Sequence, residues 1–341
     1  KEAHYKEIEK LVKNQKIGGL IFFQGNPHQQ ALLTNRYQAQ ASIPLMIAMD
    51  AEWGLGMRLD STLSYPKQMT LGALRNDTLI YQMGQQIAEQ AKRLGVHINF
   101  APVVDINSNP LNPVIGDRSF GENKEKVAQK SIMYMQGMQE AGLMANAKHF
   151  PGHGDTESDS HFTLPTIQHG KQRLDSLELY PFKALIKEGV GSMMVAHLYM
   201  TQFDDRSERK KRNEVDIPAT LSKNIVSGLL KDELGFQGLV FTDALNMKGV
   251  SAFYEPGEMD MMALRAGNDV LLFPIDVKTA IKTIKRAVKK SEMEEEEIDK
   301  KVKKILRAKY KMHLNRYQSV QTAGLTDSLN QFSYKRHRSS I

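Results

Sequence analysis

The residues from Lys148 to His161 concentrate the groups with which a protein could move protons or bind a polar ligand. This stretch holds three histidines, three acids and one lysine, and it has almost no apolar side chains. Its last part places Asp159 two residues before His161. A carboxylate can accept a hydrogen bond from one imidazole nitrogen, which leaves the other nitrogen to exchange a proton with a ligand. The pair is therefore a candidate general acid/base, although an isolated pair of this kind is more often an ordinary loop contact.

The position of this stretch strengthens that interpretation. It follows the apolar run from Leu143 to Ala147, which predicts a short buried strand. It also contains Pro151, Gly152 and Gly154, residue types that allow unusual turns and a close approach of the backbone to a ligand. A polar loop at the end of a strand is where α/β proteins carry their chemistry.

Carboxylates follow two other predicted strands. Asp243 comes directly after the apolar residues 239–242, and Asp50 ends the apolar run that begins at residue 43. A carboxylate at such a point could act as a nucleophile, bind a metal ion or accept structural hydrogen bonds, and the residues alone leave these roles open. Trp53 lies near Asp50 and offers a flat face that suits a sugar ring, although a single tryptophan is more often part of a core.

A guanidinium group is predicted in the loop after the third strand. Arg118 presents a rigid fork of donors that suits ligands rich in oxygen. The alternative is a salt bridge within the loop, to Asp117 or Glu122.

A metal site is the main alternative interpretation of the polar loop. Nitrogen and oxygen ligands for zinc or a related ion could come from His149, His153, Asp155, Asp159 and His161. Lys148 and Arg118 would place positive charge beside such an ion, and the histidine spacing matches no compact pair on a helix. We therefore expect no metal and no cofactor.

The elements that must position these residues alternate between apolar strands and helices. The predicted strands cover residues 17–23, 43–50, 96–101, 143–148, 191–197, 238–243 and 269–273. Continuous apolar strands that alternate with helices indicate a parallel sheet. Polar residues come at or just after the ends of several strands, namely Asp50, Asp105, Lys148, His149, His197 and Asp243. Their convergence on one rim favours an α/β fold of the (β/α)8 TIM-barrel type, with its first strand missing upstream of Lys1.

The predicted barrel domain spans residues 1–312. Residues 313–341 have weak periodicity and predict a linker or a tail that wraps the barrel and leads toward a further domain. The composition is that of a globular protein, and the absence of cysteine excludes disulfides and zinc–thiolate sites. The net charge of +7 comes largely from short basic runs, which are usually solvated helix faces, so we expect no nucleic-acid partner. No apolar run has the length of a membrane span, and location stays open between a bacterial periplasmic or secreted protein and a cytoplasmic one.

Several blocks of the chain resemble glycoside hydrolase family 3, in its β-N-acetylglucosaminidase (NagZ-like) branch. The resemblance covers about residues 1–312 and is carried by segments 99–105, 117–121, 148–165 and 241–247. It implies hydrolysis of terminal β-linked N-acetylglucosamine with retention of configuration. The block from Asp50 to Arg58 departs from the family's usual compact form and resembles Bacteroidetes-type members in which further domains follow the barrel.

The resemblance also implies roles for individual residues. Asp243 is expected to be the nucleophile, His161 the general acid/base and Asp159 the partner that orients His161. The expected sugar-binding residues are Asp50, Arg118, Lys148, His149 and His197. His153 is expected to be structural. The expected partner is a carbohydrate that contains N-acetylglucosamine. The alternatives are a β-glucosidase or a phosphorylase of the same family, a metal-dependent barrel hydrolase, and a non-catalytic glycan-binding module.

Overall fold

A computed structural model of the protein describes residues 2–160, 162–204, 210 and 215–341. The chain divides into two compact units. The first unit consists of Lys1–Pro102, Ile132–Asn146 and Leu306–Ile341, and the second of Val103–Ser131 and Ala147–Ile305.

The first unit contains β1 (Gly19–Ile21), β2 (Met46–Met49), β3 (Ile98–Asn99) and the first residues of β4 (Met144–Phe150). The pairs β1–β2, β2–β3 and β3–β4 are parallel. All four residues of β2 are buried, as expected for a parallel strand covered on both faces. Asp50 is the first residue after this strand.

The second unit contains the rest of β4, together with β5 (Thr166–Ile167), β6 (Ser192–Val195), β7 (Tyr199–Met200) and β8 (Leu239–Thr242). The main sheet has the order β1-β2-β3-β4-β6-β8, while β5 and β7 form a separate parallel pair. In the parallel pair β6–β8, Val195 lies opposite Thr242. His197 follows β6 and Asp243 follows β8, so the two residues come from the same ends of neighbouring strands.

Helices alternate with these strands. The α-helices are Glu2–Lys10, Pro27–Gln38, Gln68–Gly72, Thr78–Arg93, Lys124–Glu140, Lys171–Ser176, Tyr180–Lys187, Lys248–Ser251, Glu258–Ala266, Val277–Lys289, Glu295–Lys311, Leu325–Leu329 and Phe332–Ser340, and Leu11–Gln15 and Asn224–Glu233 are π-helical. The helical pattern of residues 172–188 is divided between two helices, Lys171–Ser176 and Tyr180–Lys187. Pro181 is the second residue of the later helix, where its missing N–H costs no helical hydrogen bond. The parallel α/β fold is confirmed, whereas closure into an eight-stranded barrel and a strand upstream of Lys1 stay predictions.

The strand predicted over residues 269–273 is reduced to one bridge, between Phe241 and Val270. Side chains replace backbone acceptors on both sides of this bridge. The carboxylate of Asp269 accepts from the Val240 N–H at 2.9 Å, and the hydroxyl of Thr242 accepts from the Leu272 N–H at 2.8 Å. A regular ladder therefore does not form, although the apolar sequence favours one.

The C-terminal residues pack on the first unit. Asn35 exchanges two hydrogen bonds with the backbone of Val320, and the Gln90 side chain donates to the Leu329 carbonyl at 2.8 Å. Leu325 and Leu329 are buried. The predicted tail thus contains short helices with a core contact, and a further domain beyond it stays a prediction. Within the described part of the chain, none of the helices has the length and apolar character needed to cross a membrane.

Candidate active site

The site is built in the second unit, where β4, β6 and β8 end. Lys148 and His149 lie in the last part of β4 and are buried. Asp243 directly follows β8, and its N–H donates to the Val195 carbonyl at 2.9 Å. The charges of His197, His149 and Lys148 all act on the Asp243 carboxylate. Four of the residues predicted from the sequence are therefore brought together.

Asp243 is half-buried, and its carboxylate accepts from the Ala244 N–H at 2.7 Å. Burial raises the pKa of this carboxyl, but its electrostatic interactions with His197, His149 and Lys148, together with the Ala244 hydrogen bond, outweigh burial and lower it. The net pKa of Asp243 lies below its ordinary value of 3.8. Asp243 is thus an ionised, partly accessible carboxylate at neutral pH, which is the form that a nucleophile needs.

Asp105 is a fully buried carboxylate that holds the polar loop in place. One oxygen accepts from His149 twice, from Nδ1 at 2.7 Å and from the backbone N–H at 3.1 Å. The other oxygen accepts from the His153 N–H at 2.7 Å. Burial raises the pKa of Asp105, yet the charge and hydrogen bonds of His149 and the His153 N–H outweigh it, so the pKa is lowered.

His149 is fixed on both sides of its ring. Nδ1 donates to Asp105. On the other side of the ring, Nε2 faces the Arg118 guanidinium, whose Nη2 lies 3.4 Å away. Arg118 is itself anchored by a hydrogen bond from Nη1 to the Val114 carbonyl at 3.1 Å. The guanidinium stays partly exposed.

His153 is buried inside the loop. Its Nδ1 lies 2.8 Å from the Thr156 hydroxyl and its Nε2 3.2 Å from the Ser160 hydroxyl. Burial and the charge of His149 lower the pKa of His153 to about 4, so the ring is neutral at physiological pH. Asn112 adds hydrogen bonds to the His153 carbonyl and to Thr156. A ring bonded in this way organises the loop and offers no nitrogen to a ligand.

Gly154 explains part of the glycine content of the loop. A Cβ atom at this position would lie 1.6 Å from the carbonyl oxygen of Ile106. Glycine is therefore required because the loop backbone touches another backbone segment. The sequence predicted a close approach to a ligand, whereas the close approach seen here is to the protein itself.

Asp159 lies in the last part of the loop. Asp159 is half-buried, and its carbonyl accepts from the N–H groups of Phe162 and Thr163, both at 3.0 Å. The predicted acid/base, His161, falls outside the residues that the structure describes. The backbone beside it rests on Gly249, where an added Cβ would lie 2.4 Å from the carbonyl oxygens of both Ser160 and Thr163.

His197 is fully buried beneath the ends of β6 and β8. Its Nδ1 lies 2.8 Å from the Thr220 hydroxyl, and its Nε2 lies 3.0 Å from the Ala244 carbonyl. The sequence placed His197 among the sugar-binding residues. With both ring nitrogens bonded to protein oxygens, its geometry favours support of the residues around Asp243 over direct contact with a ligand.

Asp50 belongs to the first unit and is paired there. Its carboxylate accepts from Nη2 of Arg58 at 2.9 Å, and its carbonyl accepts from Nε of the same residue at 3.2 Å. The Arg58 guanidinium also lies over the Phe23 ring, 5.2 Å from its centroid. The orientation of Asp50 is therefore set by Arg58, a residue that the sequence did not single out.

A group of possible metal ligands lies beside the loop, but it differs from the predicted set. Among the described residues, Asp155, His169 and Glu178 bring nitrogen and oxygen atoms within 4.8 Å of one another. Arg173 already donates to Asp155 at 2.9 Å and to Glu178 at 3.3 Å, and His169 is hydrogen bonded to Asp155. The guanidinium supplies the positive charge that these carboxylates need, so the arrangement is that of an ion-pair cluster.

The sequence did not predict that Asp105 organises the loop by binding His149 and His153. It counted Asp105 among the polar residues near strand ends but gave it no role in the site. The signal was present, since a carboxylate after a buried strand needs donors. The donors themselves are 44 and 48 positions away in the sequence, and only the fold brings them near.

Known proteins are similar to this chain in sequence. The glycosyl hydrolase family 3 N-terminal domain matches residues 2–308. A β-hexosaminidase A of Pseudoalteromonas piscicida is 37% identical over 287 residues, which cover 80% of this chain and 48% of that protein. A β-hexosaminidase of Tolumonas auensis is 33% identical over 273 residues, which cover 78% of each chain.

A solved structure is also similar. The family 3 β-N-acetylglucosaminidase of Paenibacillus sp. str. FPU-7 has a TM-score of 0.84 at 36% identity, with 97% of this chain and 65% of that one covered. The present chain thus spans about two thirds of that structure and about half of the P. piscicida protein.

Proposed function

Since the chain belongs to glycosyl hydrolase family 3, we propose that it is a retaining exo-β-N-acetylglucosaminidase. Its substrates are terminal β-linked N-acetylglucosamine residues of peptidoglycan fragments or chitooligosaccharides. The similar proteins named β-hexosaminidase and β-N-acetylglucosaminidase support this substrate class. No metal or cofactor takes part in the proposed reaction.

The observation that carries the proposal is the state of Asp243. A retaining glycosidase needs an ionised carboxylate on one face of the anomeric carbon and a proton donor at the leaving oxygen. Asp243 is partly accessible and has a lowered pKa because cationic groups surround it. Its carboxylate attacks the anomeric carbon, the glycosidic bond breaks, and a covalent glycosyl-aspartate forms. Water then attacks the same carbon, and the carboxylate leaves.

His161, oriented by Asp159, supplies the proton to the leaving oxygen and later removes one from the attacking water. A neutral histidine suits this position, since a second carboxylate would repel Asp243 and any anionic substrate. The loop that carries the pair is long and rich in glycine, so we expect it to move during turnover.

The polar groups around Asp243 bind the sugar. Arg118 and His149 face each other at 3.4 Å, and Lys148 adds a buried ammonium group from the same strand. Donors of this kind suit the hydroxyl and N-acetyl oxygens of the ligand. Asp50, which Arg58 orients within the first unit, stays a predicted sugar-binding residue.

Hydrolysis of a chromogenic N-acetyl-β-glucosaminide tests the proposal. We expect release of the chromophore by the wild-type protein, loss of release in Asp243→Ala, and a first product with the β configuration by NMR. Inverted product, or undiminished release by Asp243→Ala, would contradict the mechanism.

A sugar phosphate formed when phosphate is added would instead identify a phosphorylase, and preference for the matching β-glucoside would identify a β-glucosidase. Activity abolished by a chelator and restored by zinc would support a metal-dependent hydrolase. Glycan binding without any turnover would identify the protein as a non-catalytic glycan-binding module.

A further inference from the structure

We propose that His197 is held as a doubly protonated imidazolium behind Asp243 and that this fixed charge positions and stabilises the nucleophile's carboxylate. The protonation state follows from the geometry alone. The effect on Asp243 as a nucleophile rests on the proposed function.

The hydrogen count begins at Nε2. This atom lies 3.0 Å from the Ala244 carbonyl, and a carbonyl oxygen can only accept. Nε2 must therefore carry a proton. The same contact binds the imidazole to the peptide unit that follows Asp243.

The hydrogen on Nδ1 follows from the position of Thr220. The Thr220 hydroxyl lies 2.7 Å from the Ala196 carbonyl and 2.8 Å from Nδ1 of His197. A hydroxyl has one proton, and two oxygens 2.7 Å apart without a proton between them would repel. The Thr220 proton is thus donated to Ala196. Nδ1 then faces an oxygen lone pair and must donate as well, so both ring nitrogens carry protons.

A buried imidazolium needs a counter-charge, and Asp243 provides it. The two residues follow adjacent strands, and the charge of His197 is the largest of those that lower the pKa of Asp243. Among the described residues, His149 and Lys148 also lower the pKa of this carboxyl, and Asp243 in turn acts on the buried His153. Nε2 of His197 is also bonded to the backbone carbonyl of Ala244, the residue that follows Asp243.

This arrangement matters most in the second half of the reaction. When water attacks the glycosyl-aspartate, the bond between the anomeric carbon and the carboxylate oxygen breaks, and its electron pair returns to Asp243. A fixed cation stabilises the carboxylate as it leaves. His197 acts through Asp243 and does not touch the substrate, so it is a positioning residue.

The protonation state is tested by NMR of the protein labelled with ¹⁵N-histidine, with His197→Gln to assign the signals. We expect both ring nitrogens of His197 to keep imidazolium shifts from about pH 5 to about pH 8, a range in which an ordinary histidine loses its proton. A signal from an unprotonated ring nitrogen in that range would overturn the proposal. Thr220→Val, which removes the acceptor of Nδ1, should make such a signal appear, and this variant serves if His197→Gln does not fold.

The effect on the nucleophile is tested by the pH profile of kcat/KM. In His197→Gln we expect the acidic limb to move to higher pH and kcat to fall about tenfold or more. The matched control is His28→Gln, at an exposed position in the first unit, which should leave both unchanged. An unmoved acidic limb in His197→Gln would refute the positioning role. If the wild-type protein hydrolyses nothing, the proposed function fails, while the NMR result still decides the protonation state.

Discussion

Nδ1 of His149 donates to the carboxylate of Asp105 across 2.7 Å, in a fully buried position. Asp105 also accepts from two backbone N–H groups, so a single side chain fixes both the ring of His149 and the path of the chain to His153. A carboxylate that accepts three hydrogen bonds cannot be replaced by an amide without turning one acceptor into a donor. The relationship makes Asp105 a sensitive point of the second unit.

Asp105→Asn should lower the free energy of unfolding by about 2–4 kcal/mol, since the amide NH₂ must face an N–H donor at a fully buried position. Urea unfolding followed by circular dichroism measures this change. The control is Asp232→Asn, at an exposed position of the same unit, for which we expect a change within about 0.5 kcal/mol. Equal stability of the two variants would contradict the role given to Asp105.

Arg118→Lys should raise KM for the chromogenic substrate about tenfold or more and change kcat less. A lysine can hold a charge near His149 but cannot keep the bond to Val114 and present a planar donor fork at once. Steady-state kinetics separate the two constants. Arg75→Lys, at an exposed position in the first unit, should leave both constants unchanged, and an unchanged KM in Arg118→Lys would remove Arg118 from the binding site.

Gly249→Ala should lower kcat/KM by roughly 10- to 100-fold although residue 249 has no catalytic atom. The new methyl group would press on the carbonyls of Ser160 and Thr163 and shift the segment that carries the proposed acid/base. Gly170→Ala is the matched control, since its Cβ would enter open space and its φ of −66° suits any residue. Activity of Gly249→Ala equal to that of the control would show that the loop position does not depend on this contact.

Stability should fall as pH drops from about 6.5 to about 4, because two histidines are buried in the neutral form. Burial lowers the pKa of both His97 and His153 from 6.5 to about 4. Between these pH values the unfolded chain therefore binds more protons than the folded protein. The contribution of the two neutral histidines to the free energy of unfolding is fully present above pH 6.5 and is lost as the pH falls toward 4. Each histidine contributes at most about 1.4 kcal/mol per pH unit.

His97→Gln tests this dependence, because glutamine can accept from the Ile47 N–H as Nδ1 of His97 does. Unfolding free energies measured between pH 7 and pH 4 should show a shallower slope in this variant than in His28→Gln. Identical slopes would mean that His97 is not neutral in the folded protein.

Most of the sheet could be predicted from the sequence, because several of its strands are apolar runs that are fully buried, as β2 and β8 are. The strand around Val270 could not, since Asp269 and Thr242 occupy its hydrogen-bonding positions with their side chains. The pattern of apolar residues carries no information about such side-chain substitution. The same limit applies to the helix interrupted before Pro181, where periodicity continues across the break.

The candidate site divides in a similar way. Residues directly after strands, such as Asp243, could be found from the sequence because parallel strands end on one side of a sheet. Roles that depend on distant partners could not, and His197 is the clearest example. Its position at the end of a strand predicted contact with a ligand. In the structure, Nδ1 of its ring is instead bonded to the hydroxyl of Thr220, 23 residues later in the chain.

The absence of a side chain at Gly249 has a consequence for the loop that holds Asp159. The carbonyls of Ser160 and Thr163 already lie so close to Gly249 that even a methyl group would not fit. This contact therefore leaves no room for Ser160 and Thr163 to lie closer to residue 249. In a related chain, a larger side chain at this position would require the carbonyls of Ser160 and Thr163 to lie farther from residue 249.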